Sequence, residues 1–383
     1  MKKFFKDLPP VLFFSIIPIV LVWIPFIFRL DSFWNIPLTK NGLATIVANY
    51  DGPLYLIIAK TLYNTESIKT MFSVPLPVEY YAAHFPLFPI LIRLFSFIGN
   101  YPYAMLTATV LSSVYAMYFF KKLISQFVRE ENIVWMMLIF AILPARWLIV
   151  RSVGSPEPLF VGSIIASLFY FKNKKYLLAG IFGAIAQITK SPGILLFAGY
   201  IGFFIFEAIY NASISHKTVN FNFVRKLPLF LIPLSLLGVF FLYSKVYGNF
   251  YAYFDSGDNI HLFFPPFQIF NYSQPWVNTF WLEEVVLVYI IALLGIFKLF
   301  EKKEFEYAIF TAVFFTTIIF VSHRDIIRYA LPIVPFILAG FSETLTKKSF
   351  RLLLLIVALP IYLFSLAYIS QNVMPISNWA PFL

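Results

Sequence analysis

The chain has 383 residues, of which 60% are hydrophobic, 20% aromatic and only 12% charged, and its mean hydropathy of +0.81 is far from the balance of a soluble domain. It contains no cysteine, which excludes disulfides, thiolate nucleophiles and cysteine-based metal sites. A formal net charge of +11 would suit a nucleic-acid partner, but the cations fall at the ends of apolar segments, so membrane lipids are the expected surroundings and no nucleic acid is.

Hydropathy predicts an all-α, polytopic membrane protein, one transmembrane domain over residues 1–383. The first apolar run, Val11 to Phe28, is followed by Arg29 without a small-residue cleavage site, so it reads as a retained helix. About eleven spans follow from the apolar segments near 11–29, 100–120, 133–150, 158–171, 176–190, 192–210, 227–244, 285–300, 305–322, 328–342 and 350–369. With the amino terminus in the cytoplasm, every inner segment carries three cations: Lys2, Lys3, Lys6; Lys121, Lys122, Arg129; Lys172, Lys174, Lys175; Lys217, Arg225, Lys226; Lys298, Lys302, Lys303; and Lys347, Lys348, Arg351. These account for eighteen of the twenty-nine Lys and Arg, as the positive-inside rule requires, and they put the carboxyl terminus outside a cell membrane.

The same topology leaves two long outer segments, about 30–99 and 245–284, as the face where chemistry can occur. The first contains Asn49-Tyr50-Asp51-Gly52-Pro53-Leu54-Tyr55. A helix is predicted over Pro53 to Tyr63, with Leu54, Ile57, Ile58 and Leu62 on one face, lying along the membrane interface. Proline suits its first turn and puts Asp51 at the N-cap, where free amides and the helix dipole favour an ionised carboxylate. Asp51 has two readings: a turn residue before Gly-Pro, or a general base toward a hydroxyl delivered from outside. A second helix-like stretch, Phe85 to Phe97, begins at Pro86, carries Arg93 and can extend into the second span. Glu66, Glu79 and His84 share this segment; Glu79 is the reserve base, and His84 and Tyr55 are expected to contact the molecule that brings the hydroxyl.

Further along, Arg146 and Arg151 flank the outer end of the third span, Gly154-Ser155-Pro156-Glu157-Pro158 follows, Lys190 lies between the fifth and sixth, and Arg324 and Arg328 lie between the ninth and tenth. Long basic side chains at span ends can simply snorkel to head groups. Five cations in short outer loops nevertheless oppose the positive-inside trend and imply a compensating anion, for which a lipid phosphate is the economical choice. In the second outer segment, Asp255, Asp258 and His261 offer oxygen and nitrogen ligands, but their spacing is that of an Asx and glycine turn, so no metal or other cofactor is expected. The aromatics around them (Tyr247, Phe250, Tyr251, Tyr253, Trp276, Phe280, Trp281) suit an interfacial belt first and a sugar platform second.

Asn49-Tyr50-Asp51-Gly52-Pro53-Leu54-Tyr55-Leu56-Ile57-Ile58-Ala59, followed by Ala83-His84-Phe85-Pro86-Leu87-Phe88-Pro89-Ile90-Leu91-Ile92-Arg93, resembles the PIG-V-like mannosyltransferases of the GT-C superfamily. Those proteins typically carry an Arg-Trp-Asp triplet, a Tyr-Leu-x-Ile-Ala helix and a Phe-Phe-Pro-Leu-Tyr-Pro block; here Asn49-Tyr50 replaces Arg-Trp, and His84 to Pro89 replaces the tyrosine form. The resemblance implies a GT-C fold and an inverting transfer of a sugar, mannose by analogy, from a polyprenyl-phosphate donor, with Asp51 as base and no obligatory metal. It leaves the acceptor open among lipid, glycan and protein. Two other classes compete: a flippase of lipid-linked sugars, which needs polar residues through span centres that are here almost entirely Leu, Ile, Phe, Val and Ala, and a non-catalytic membrane subunit.

Overall fold

The computed structural model describes residues 2–73, 76–215, 223–257, 261–271, 273 and 282–383. In chain order the helices are α1 (Lys2–Ile27), α2 (Leu43–Val47), α3 (Gly52–Thr61), α4 (Thr65–Met71), α5 (Leu87–Leu94), α6 (Tyr101–Ile124), α7 (Glu130–Ile142), α8 (Ala145–Ser152), α9 (Glu157–Lys172) and α10 (Tyr176–Thr189). They continue as α11 (Ile194–Tyr210), α12 (Phe223–Lys226), α13 (Leu231–Tyr247), α14 (Leu282–Glu301), α15 (Phe305–Ile318), α16 (Ile326–Ala330), α17 (Val334–Gly340), α18 (Ser342–Leu345) and α19 (Lys348–Gln371). Among the described residues the only paired strands are the two-residue β1 (Ser32–Phe33) and β2 (Ile36–Pro37), antiparallel with Ser32 opposite Pro37.

Each predicted apolar segment contains a helix, but the segments are not equivalent. Five described helices are long and apolar enough to cross a bilayer unaided: Leu8–Ile27, Tyr101–Ile124, Ser191–Ser213, Phe223–Tyr247 and Lys348–Gln371. The third predicted span, 133–150, is instead two helices, α7 and α8, bent by 73° at Leu143-Pro144. Pro144 has no amide hydrogen to donate into a continuing helix, so the chain turns there. α10 and α15 have 14 residues each, about 21 Å of helix against a hydrocarbon core of about 30 Å, and both pack within the bundle.

Loops predicted to be cytoplasmic meet at one end. Lys172 pairs with Glu304, Lys302 with Glu343, Arg351 Nη2 donates to Asn132 Oδ1 (2.5 Å), and Trp135 Nε1 donates to the Leu345 carbonyl (2.8 Å). Lys217 lies outside the described residues.

The first outer segment differs from its prediction. α3 forms where expected, yet Leu54 to Ala59 are all buried, so it is enclosed by protein on every side instead of lying on an interface. A helix apolar around its whole circumference belongs in a core. The second stretch does not run into the next span: α5 ends at Leu94, and a short 3₁₀ turn and Gly99 separate it from α6. Arg93 of α5 reaches back, its Nη1 donating to the carbonyls of Ala59 and Lys60 (3.0 Å each), which ties off the carboxyl end of α3.

Arg151 has a structural post where a phosphate contact was expected. Its side chain is buried, and its guanidinium donates to the carbonyls of Ala141 (2.6 Å), Phe14 (3.1 Å) and Ser15 (2.8 Å). The origin is legible in the backbone: Pro18 inside α1 offers no amide hydrogen to Phe14, and Ala141 lies in the last turn of α7, whose carbonyls have no helical donor. Arg151 thus joins α1, α7 and α8 by completing bonds that helix geometry leaves open. Arg151→Leu should lower stability by on the order of 3 kcal/mol, because it strands buried acceptors; thermal unfolding in detergent measures this, and an unchanged transition would refute the tie.

Candidate active site

The site is built on the turn between α2 and α3. Gly52 N donates to the Asn49 carbonyl (3.1 Å), and Tyr50 takes a left-handed conformation (φ 48°) that a β-carbon disfavours. Gly52 is required at the next corner, since a β-carbon there would lie 2.2 Å from the Val47 carbonyl oxygen. Asn49 is buried, and its Nδ2 donates to the Ile369 carbonyl of α19 (2.7 Å). With α3 buried below it, this turn is fixed from both sides.

Asp51 occupies the N-cap position of α3, but its side chain makes no capping hydrogen bond. The carboxylate points away instead, with Oδ2 3.4 Å from Arg328 Nη2 and 4.0 Å from His84 Nε2, and 35% of the side chain is exposed. Burial pushes its pKa up, but Arg328 and then His84 outweigh burial, so it lies below its ordinary 3.8. The group is a carboxylate at neutral pH. Burial holds His84 below its ordinary 6.5 against the pull of Asp51, leaving a neutral imidazole beside a charged carboxylate.

Arg328 is the hub. It donates from Nε to Glu157 Oε1 (2.7 Å) and from Nη2 to Asp51, while its guanidinium carbon lies 4.2 Å from the centre of the Tyr50 ring. Glu157, only 3% exposed, also accepts from Lys190 Nζ (2.8 Å) and from Ser155 Oγ. It opens α9 between Pro156 and Pro158, where the prolines suit the first turn and the helix dipole favours an acid. Arg146 pairs through Nε with Asp325 Oδ1 (2.8 Å), donates to the Tyr50 hydroxyl (3.2 Å) and lies 3.6 Å from the centre of the Tyr368 ring. It braces the wall instead of opening onto the cavity.

Arg324 is different: it is exposed at the cavity and has no ion pair among the described residues. Across this cluster four cations (Arg146, Lys190, Arg324, Arg328) face three acids (Asp51, Glu157, Asp325), so one positive charge is unmatched. His323 adds none, because burial and then its neighbours His261, Arg328 and Arg324 push its pKa down to about 4.

Two cavities meet at Arg328. One, of about 370 Å³, is polar and bounded by Tyr50, Asp51, Arg324, Asp325 and Tyr368. The other, of about 330 Å³, is largely apolar, bounded by Phe160, Leu195, Leu236 and Phe314, with Glu157 and Lys190 at its charged margin. A polar cavity carrying a carboxylate therefore adjoins an apolar one across a single guanidinium.

Of the sequence candidates, Asp51, Arg328, Lys190 and Arg324 converge here, Arg146 stands behind them, and Arg151 is the structural tie described above. Glu79 is exposed on a 3₁₀ turn (Val78–Ala83) and lines neither cavity. Tyr55 and His84 are buried against one another, ring centres 5.0 Å apart, and support Asp51 from below without lining either cavity. Asp255 is exposed and accepts from Asn249 Nδ2 (2.6 Å), His261 lies beside His323 (4.6 Å between ring centres), and Asp258, Trp276, Phe280 and Trp281 lie outside the described residues. Glu157 and Asp325 were missed as site residues. Their signal was electrostatic: buried cations at short outer loops require acids, and these two lie within the same loops.

No family model matches the chain, and no curated protein matches it in sequence. Among solved structures, it is similar to the crystal structure of ArnT from Cupriavidus metallidurans bound to undecaprenyl phosphate, with a TM-score of 0.58 at 12% identity, covering 94% of this chain and 74% of that one. The chain shares the helical, polytopic membrane fold of that structure.

Removing the charge of Glu157 leaves Lys190 and Arg328 with a buried excess. Glu157→Gln should cost on the order of 3 kcal/mol, and adding Lys190→Met should restore part of it. Thermal unfolding of the single and double variants measures both; additive losses would refute the shared charge balance.

Proposed function

We propose that this integral membrane protein is a glycosyltransferase that moves a sugar, mannose in our reading, from a polyprenyl-phosphate donor to an acceptor hydroxyl on the extracytoplasmic side, with inversion. The observation that carries the proposal is the junction of an apolar and a polar cavity at Arg328, with Asp51 on the polar side. Similarity of fold to a protein crystallised with undecaprenyl phosphate supports the lipid donor.

In this reading the prenyl tail lies in the apolar cavity, and its phosphate rests against Lys190, Arg328 and Arg324. The phosphate linkage carries the one negative charge that the cluster lacks. The acceptor hydroxyl attacks the anomeric carbon on the face opposite the phosphate. As that bond forms, the hydroxyl proton passes to the Asp51 carboxylate. The sugar–oxygen bond to phosphate breaks with its electron pair on the phosphate oxygen, and the cations stabilise the charge that develops there. Polyprenyl phosphate and the glycosylated acceptor result. Tyr55 and His84 fix the base from behind, and Arg146 with Asp325 fixes Tyr50 beside it.

A flippase fits less well. Hydroxyls within the spans are mostly bonded to their own helix, as in Ser113 to Thr109, Ser163 to Leu159 and Thr311 to Tyr307, and so do not line a hydrophilic path.

Asp51→Asn should lower transfer by roughly 10² to 10⁴ while binding of undecaprenyl phosphate persists; near-normal turnover of labelled polyprenyl-phosphate mannose would remove Asp51 as base. Arg324→Ala should raise the KM for donor more than it lowers kcat. Because the carboxylate titrates below its ordinary 3.8, its base form is lost only as pH falls through that lower value. The pH profile of kcat/KM, which reports the unliganded enzyme, should therefore show no acidic limb between about pH 5 and 8. A limb near pH 6.5 would point to a histidine instead.

A further inference from the structure

We propose that the end of α19 and the segment following it supply the acceptor subsite, with Gln371 and Asn372 selecting a neutral, hydroxyl-rich carbohydrate. This rests on the reading of the polar cavity as the place of transfer. Residues 371–374 border that cavity together with Asp51 and Arg324. The chain could have left α19 in any direction, but it is held here. Met374 N donates to the Ala48 carbonyl (2.8 Å), Val373 forms an antiparallel bridge with Asn49, and Asn372 Nδ2 donates to Asn49 Oδ1 (3.2 Å). Further on, Lys60 Nζ donates to the Pro381 carbonyl (2.7 Å), and the buried Phe382 ring meets Phe72 edge to face at 5.1 Å. The wall and the turn that carries Asp51 are thus one hydrogen-bonded unit.

The chemistry of that wall narrows the acceptor. Gln371 is exposed and its side chain makes no hydrogen bond with any described residue, so both ends of its amide are open to a ligand. Asn372 uses its nitrogen on Asn49, which fixes its orientation. Amides donate and accept at adjacent atoms, which matches the paired donor and acceptor character of vicinal hydroxyls. An anionic acceptor would require a further cation at this wall, and the exposed cation of the cavity, Arg324, is the one the donor phosphate needs. A cationic acceptor would meet that same Arg324. A neutral sugar meets neither cost.

The test uses full-length protein in detergent with polyprenyl-phosphate mannose as donor. Octyl α-mannoside serves as the carbohydrate acceptor and an N-acetylated serine peptide as the protein-like one. Wild type should transfer to the glycoside in preference to the peptide. Gln371→Leu should raise the KM for the glycoside about tenfold, the loss expected for one or two hydrogen bonds, with the KM for donor unchanged. Asn372→Leu should do the same and also lower kcat, since it loosens Asn49. Retained binding of undecaprenyl phosphate verifies that each variant is folded. An unchanged glycoside KM in Gln371→Leu, or preference for the peptide by wild type, would overturn the inference while leaving the transferase reading standing. Absence of transfer to both probes by wild type would overturn that reading and this inference with it.

Discussion

A guanidinium placed deep in a membrane protein must be neutralised, and Arg328 is neutralised from two directions. Glu157 holds its Nε side and Asp51 its Nη2 side, so two elements from distant parts of the sequence are drawn to one point. Once Arg328 is fixed, the remaining ion pairs follow: Lys190 shares Glu157 Oε1 with Arg328, and Arg146 with Asp325 forms a parallel pair linked through Tyr50. Within the ladder each acid lies against at least one cation. Its cost is that no member can be changed alone without leaving an uncompensated charge.

The same sharing couples the two cavities. An anion that draws Arg328 toward the apolar side weakens its hold on Asp51. Loss of that hold raises the proton affinity of the carboxylate, because Arg328 is the largest influence opposing burial there. Occupancy of one cavity therefore sets basicity in the other. Reciprocally, protonation of Asp51 frees Arg328 for the anion, as linkage requires.

The spans were legible because a bilayer reads hydropathy, and hydropathy is additive along the chain. What hydropathy does not register is interruption: Pro144 stands within an apolar run yet divides it. α3 could have been read correctly, since Leu54 to Ala59 have no polar face, the mark of a helix meant for a core. Asp51 was legible from Asn-Tyr-Asp-Gly-Pro, because the backbone needs of that turn and the carboxylate are written together. The separation of Arg151 from Arg146 was also open to inspection: five residues along a helix is a rotation of about 140°, so both could not face one cavity. Glu157 and Asp325 remained obscure for another reason. Charge neutralisation is a property of pairs, and their partners lie in other loops.

The links that close the site span most of the chain. Asp51 and Arg328 are 277 residues apart, and Asn49 meets Ile369 across 320. At a synthesis rate of about 5 to 20 residues per second, the turn bearing Asp51 emerges roughly 15 to 60 seconds before the helix that secures it. During biogenesis this polar turn waits beside a membrane with its partners unmade. Assembly of the site then waits on the arrival of α19, and a chain halted before α19 carries the carboxylate without the frame that aims it.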